Sequence, residues 1–146
     1  MTDLAFGPYR TRTDPERTRA YYAARTPWPV CDCAGCRNFL RAVRTLPEAV
    51  TDLFRALGLD PLKPAEVCHY GGTRRNVCAS AWYHVHGELL GGGAGPAPTL
   101  ADGVSVSCDA ACDLLPEDFP RPCFQVEFWF DRLPWILPEP NPYSSS

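Results

Sequence analysis

Apolar residues recur along the chain at two different periods, and the change from one to the other divides it. Val50, Leu53, Phe54 and Leu57 fall at the three-and-four spacing that forms one stripe of a helix. Pro47 opens that helix, predicted over 47 to 57, and Gly58 supplies the left-handed position that ends it. Phe39, Leu40 and Val43 give the same spacing to a helix over 36 to 45. An earlier helix over 14 to 25 is announced by Thr13-Asp14-Pro15-Glu16, a capping residue followed by proline and an acid. Thr26-Pro27-Trp28-Pro29 ends it.

Beyond the rigid connector Asp60-Pro61-Leu62-Lys63-Pro64 the period becomes two. Runs at 67 to 70, 78 to 90, 104 to 108 and 124 to 130 are β-branched or aromatic and are bounded by Gly, Pro and Asp. Phe124, Val126, Phe128 and Phe130 share one face, while Gln125, Glu127 and Trp129 share the other. The expected fold is α+β, with N-terminal helices packed on one face of a mainly antiparallel sheet and a zinc ion stabilising it. One domain over 1 to 137 is expected, followed by a flexible tail over 138 to 146 that is too rich in Pro and Ser to pack. Gly91 to Pro98 reads as a flexible loop; its triple glycine lacks the lysine and the following helix of a phosphate-binding loop.

Composition bears on environment. A chain of 146 residues with 45% hydrophobic and 21% charged residues is globular in character, and no apolar stretch is long enough to span a bilayer. The N-terminus carries no export signal, so a soluble cytoplasmic protein with no membrane partner is expected. Frequent Ala, Arg, Gly and Pro suit a GC-rich bacterial genome. In a reducing cytosol the 8 cysteines are read as metal ligands or buried thiols rather than disulfides. Net charge is −3, with Arg concentrated before residue 45 and acids after it. That asymmetry reads as a solvated helical face over an acidic body; the sharper alternative is a surface for an acidic protein or RNA.

Cys31-Asp32-Cys33-Ala34-Gly35-Cys36 carries the strongest chemical signal. Three thiols within six residues, ahead of a helix, suit one tetrahedral metal ion, and zinc is the expected cofactor. The helix N-terminus and Arg37 favour the thiolate form, which is the ligand. A fourth ligand must come from elsewhere: Cys68, His69, Cys78, His84, His86, Cys108, Cys112 and Cys123 are the candidates. His84 is favoured, because it lies mid-strand in the best-defined element. The metal site is therefore expected to be Cys31, Cys33, Cys36 and His84. Three unmetallated cysteines, or an iron–sulfur cluster with a fourth cysteine, are the alternatives.

A weaker pattern lies on the same strand, where His84, His86 and Glu88 alternate onto one face and would suit a facial iron or manganese site. An outward polar face is the favoured reading, with a ligand or an acid–base role as the alternatives. Cys108 and Cys112 have i, i+4 spacing, yet their context is strand, so buried thiols are expected. Leu133 to Pro138 reads as a segment closing over the core, with a partner-binding patch as the alternative.

Cys31-Asp32-Cys33-Ala34-Gly35-Cys36-Arg37-Asn38-Phe39, Leu57-Gly58-Leu59-Asp60-Pro61, Trp82-Tyr83-His84 with Gly87, and Leu133-Pro134-Trp135 together resemble a set of small uncharacterised bacterial proteins with a Cys-Asp-Cys-x-x-Cys-x-Asn segment. The resemblance spans residues 28 to 138 and implies a standalone cytoplasmic domain, with no established activity and no catalytic residues to carry over. The expected function is thus a zinc-stabilised binding domain for a protein partner of the immunity or accessory kind. The alternative is a metal-dependent enzyme using the His-x-His-x-Glu strand.

Overall fold

The computed structural model describes residues 1–26, 31–93 and 95–145. Its longest element is the strand β4, and most other elements are best located by where they meet it. In chain order the elements are β1 (Thr2–Phe6), β2 (Tyr9–Thr13), α1 (Pro15–Ala23), α2 (Ala34–Ala42), α3 (Glu48–Leu57), β3 (Glu66–Gly72), β4 (Asn76–Gly91), β5 (Thr99–Ala101), β6 (Val104–Asp109) and β7 (Cys123–Pro134). The strands form one seven-stranded sheet in which every strand pair is antiparallel. This is the α+β architecture that the two periods predict.

β7 runs along one edge of β4, setting Tyr83 opposite Val126, Ala81 opposite Phe128 and Ala79 opposite Phe130. β6 and then β5 extend the sheet on that side. The other edge of β4 is shared: β3 pairs with its first half, with Val67 opposite Ala81, and β2 with its end, with Thr13 opposite Gly87. Residues 84 and 86 lie between the two partners. Side chains of α1 fill that gap, since the Tyr22 hydroxyl accepts from His84 N at 2.9 Å and donates to His84 O at 3.0 Å. Thr18 Oγ1 accepts from His86 N at 3.0 Å, and Asp14 N donates to His86 O at 3.0 Å. The cap that begins α1 therefore also completes the sheet, because strand groups left bare in a buried edge are costly.

Alternation sends Ala79, Ala81, Tyr83 and Val85 of β4, and Phe124, Val126, Phe128 and Phe130 of β7, into one core. Phe39 and Ala42 of α2 and Val50, Phe54 and Leu57 of α3 cover that face, with Phe54 stacked on Phe128 at 4.2 Å between centroids. Gly58 ends α3 with φ +79°, and a Cβ there would strike the Pro15 backbone. Glycine is needed both for the turn and for the close approach of α1.

Several boundaries differ from expectation for local reasons. α2 begins two residues before Cys36, because the Cys33 side chain caps it, and the expected end of the second helix is a separate 3-10 turn, Val43–Thr45. The β1–β2 hairpin, turning at Gly7-Pro8, had no counterpart in the sequence reading, since the buried face of β2 carries Thr11 and Thr13 beside Tyr9 and so shows little apolar alternation. Residues 27 to 30, including the Pro27-Trp28-Pro29 stop, and Ala94 in the glycine-rich loop lie outside the described residues.

The segment from residue 138 departs most. It was expected to be a flexible tail, yet Asn141 is buried and donates to Thr73 O at 2.8 Å and Asn76 O at 3.0 Å, while its Oδ1 accepts from Tyr143 N. Ser144 forms an isolated bridge with Gly72. Prolines preset the backbone, Asn141 and Glu139 supply polar contacts, and Tyr143 packs against the core, so the segment docks on the domain. Among the described residues no helix is long and apolar enough to cross a membrane. The Arg-rich N-terminal third is folded onto the acidic remainder, with Arg25 against Asp118 and Arg37 against Glu139.

Replacing Tyr22 with Phe deletes only the hydroxyl that pairs with His84 N and O. Tyr22→Phe is expected to cost about 1–3 kcal/mol, the penalty for stranding buried backbone groups. A lowered urea midpoint at unchanged slope would show it, and an unchanged midpoint would deny α1 this role.

Candidate metal centre

The cysteine cluster sits where the loop after the described end of α1 turns into α2. Cys33 is the residue preceding the first helical turn, with φ −70° and ψ 159°, and its Sγ accepts from Cys36 N at 3.4 Å. One turn of helix then carries Cys36 back toward Cys33, and Cys31 lies in the approach. The ligand atoms of Cys31, Cys33 and Cys36 all lie within 4.8 Å of one another, the one such group among the described residues. Cys31 and Cys33 are exposed and Cys36 is buried. An arrangement of three sulfurs, two of them facing solvent, can hold a metal ion.

The protonation of the cluster is uneven. Burial raises the Cys33 pKa, but hydrogen bonds from the Cys36 and Gly35 backbone and from the Cys31 and Cys36 thiols outweigh it, leaving Cys33 below its usual value. Burial pushes Cys36 well up, and its neighbouring thiols add to the rise. Cys33 is therefore the first of the pair to ionise, and a cation is what would make further thiolates tolerable beside it.

Three contacts tie this loop to the rest of the molecule. Asn38, fully buried, donates through Nδ2 to Pro134 O at 2.9 Å and accepts through Oδ1 from Ile136 N at 2.8 Å, pairing α2 with the chain as it leaves β7. The Arg37 guanidinium donates to both carboxylate oxygens of Glu139, at 2.6 and 2.9 Å, and its Nε donates to Asp32 O at 3.1 Å. Gly35 is the third. A Cβ there would stand 2.6 Å from the Tyr143 hydroxyl and 2.8 Å from His69 Cε1, so only glycine admits both side chains. Tyr143 and His69 are stacked, 4.9 Å between centroids and 13° between planes. Burial raises the Tyr143 pKa and the nearby thiols raise it further. Burial lowers that of His69, against a smaller opposite effect from the Gly35 backbone.

His84, the expected fourth ligand, does not join the three sulfurs. Its side chain is buried and its Nε2–H donates to Asp113 O at 3.0 Å, with Phe119 edge-on to the ring at 5.8 Å. His86 is buried as well, its Nδ1–H donating to Pro122 O at 2.8 Å, whereas Glu88 is exposed. The His84, His86 and Glu88 face thus forms no ligand group among the described residues; the two rings hold the loop before β7 instead. Both histidines alternate onto the face opposite Tyr83 and Val85, whereas α2 and α3 pack on the face of those two residues. That is why the favoured strand position was the wrong side.

Other cysteines occupy separate surroundings. Burial pushes Cys108 up to about 12 and Cys112 up to about 12, the latter beside Cys123, with which it lines a hollow of about 350 Å³. Burial raises Cys78, with Asp131 adding to it. Sequence reasoning named Asn38 only as part of a motif and missed Glu139, Asn141 and Tyr143. Of these only Asn141-Pro142 carried a recognisable turn signal. Comparison with protein-family models, with curated proteins and with solved structures returned no match. The site is thus defined by its own geometry: a surface thiol cluster, able to bind metal, on an α+β domain.

Burial holds the His84 pKa below its usual value, opposed by the Asp113 carbonyl and Gln125. The unfolded chain then binds more protons than the folded one as pH falls through about 6.5, so stability is full above that value and declines below it. Urea midpoints are expected to fall from pH 7 to pH 5.5, and less steeply in His84→Gln, which keeps a donor for Asp113 O. Identical slopes for the two proteins would remove His84 from this account.

Proposed function

We propose that the protein is a zinc-binding domain that serves as a binding module for another protein. The observation that carries the metal is the mutual 4.8 Å approach of Cys31, Cys33 and Cys36 at the start of α2. Thiolates select soft or borderline ions, and zinc is the tetrahedral, redox-inert member of that group. The ion ties the loop before α2 to the surroundings of that helix, which is a scaffolding role.

Support for a protein partner comes from the sheet face turned away from the helices. Tyr70 and Trp129 stand exposed there, 56% and 36% accessible, with ring centroids 4.9 Å apart. Tyr70 also bonds Ser80. Beside Trp129 a hollow of about 190 Å³ is lined by Ser105, Ser107 and Glu127. Rigid aromatics at the rim of a small polar hollow are the usual anchors of protein interfaces. The enzymatic alternative has no comparable support, since His84 and His86 each spend a ring nitrogen on a backbone carbonyl.

Elemental analysis of the purified protein is expected to find about one zinc per chain. Cys33→Ser should lose it and unfold at a lower denaturant concentration. A Cys33→Ser protein that is metal-free and as stable as the parent would defeat the scaffolding role, and iron with visible colour would replace zinc by an iron–sulfur cluster. A partner recovered with the wild-type chain should be lost in the Tyr70→Ser, Trp129→Ser double variant at unchanged zinc content. Retention by that variant would move the interface elsewhere.

A further inference from the structure

Three sulfurs from the junction of one loop and α2 leave a tetrahedral ion one ligand short. We infer that His69 supplies it, so that the metal site consists of Cys31, Cys33, Cys36 and His69 and joins α2 to β3. The inference rests on the zinc reading above.

His69 Nε2 is buried and has no hydrogen-bond partner, one of two such side-chain atoms among the described residues. A buried nitrogen of that kind costs free energy unless something binds it, and a metal ion is one partner that would do so. Its place is also suitable. β3 pairs with β4 so that His69 lies opposite Ala79 and Val67 opposite Ala81, residues of the core face. Alternation therefore turns His69 toward the helices, on the side where α2 packs. There it meets Gly35, inside the Cys33-Ala34-Gly35-Cys36 turn, whose missing Cβ makes room for the ring. His69 contributes none of the ligand atoms that lie within 4.8 Å of one another, and the ring edge that meets Gly35 is Cε1 and Nδ1. Coordination then requires the ring to move toward the sulfurs, sliding on the Tyr143 face it stacks against.

Competing ligands are otherwise engaged. His84 and His86 bond carbonyls on the far side of the sheet, Cys112 pairs with Cys123, and Cys68 and Cys78 alternate away from the helix face. Glu139 is held by Arg37.

Cobalt(II) reports the ligand set through its visible ligand-field bands, and the zinc-stripped protein titrated with Co²⁺ provides the test. The wild-type protein is expected to show the intense bands of a tetrahedral site with three thiolates and one nitrogen. His69→Ala should shift those bands and weaken zinc binding by ~tenfold or more. His69→Cys should restore tight binding and add thiolate-to-cobalt charge-transfer intensity for a fourth sulfur. If His69→Ala fails to fold by circular dichroism, the added intensity of His69→Cys decides: a rise supports the assignment, no change overturns it. Wild-type bands and affinity in folded His69→Ala overturn the fourth ligand alone. A wild-type chain that takes up neither cobalt nor zinc overturns the metal reading, and the fourth ligand with it.

Discussion

The hydrogen-bonding edge of β4 is the constraint around which the molecule is arranged. A strand of 16 residues offers more donors and acceptors than any single neighbour on its outer edge can satisfy, and the chain meets the demand in three pieces. β3 takes the first part, β2 the last, and the hydroxyls of Thr18 and Tyr22 serve residues 84 and 86 between them. Each piece brings a different part of the chain to the sheet. The N-terminal hairpin is present because β2 is needed there, and α1 lies where it does because its first turn must reach His86. Its placement in turn fixes α3, whose Gly58 cap touches Pro15.

The thiol cluster depends on the same arrangement at one remove. β3 occupies the first half of the β4 edge, and the turn between them offers Thr73 O and Asn76 O to Asn141. Asn141 seats the C-terminal segment, which then presents Glu139 to Arg37 and Tyr143 to Gly35. Asn38 closes the circuit on the chain leaving β7. The loop that bears the sulfurs is therefore braced on several sides by polar contacts, although its own sequence is short and its first two cysteines are exposed. Polar bracing of this kind is directional, and direction is what a ligand set requires.

Much of this was legible in the sequence, and the division is physical. α3 and β7 were readable because their apolar stripes have an undisturbed period, as Val50, Leu53, Phe54 and Leu57 show. The mutual approach of the three cysteines was readable because it is local: a residue at the cap and one on the first turn are neighbours in any helix. The β1–β2 hairpin was hidden because its core-facing residues include Thr11 and Thr13, polar side chains that bury without an apolar signature. The C-terminal segment was hidden because composition was read as disorder, while its order comes from long-range contacts: Asn141 satisfies backbone groups nearly 70 positions earlier and Glu139 pairs with Arg37. Periodicity announces faces and is silent on such long-range polar seating. The same silence covers His84: it had the clearer strand, but which face of that strand meets α2 is a question of tertiary packing.

Because all three sulfurs belong to one loop and the first turn of the helix it enters, an ion held by them alone would stiffen that junction without reaching the sheet. Whether the site is scaffolding depends on what occupies the remaining position. A ligand from β3 would cross-link the helical layer to the sheet at the point where Gly35 already brings them into contact, and loss of the ion would then loosen both. A water there would leave an exposed, polarised ligand on a surface where Cys31 and Cys33 already face solvent. The first arrangement makes a structural centre and the second a reactive one. The buried, unpartnered nitrogen of His69 beside that turn weighs toward the first. It is a cost to the fold that the metal-bound state would remove.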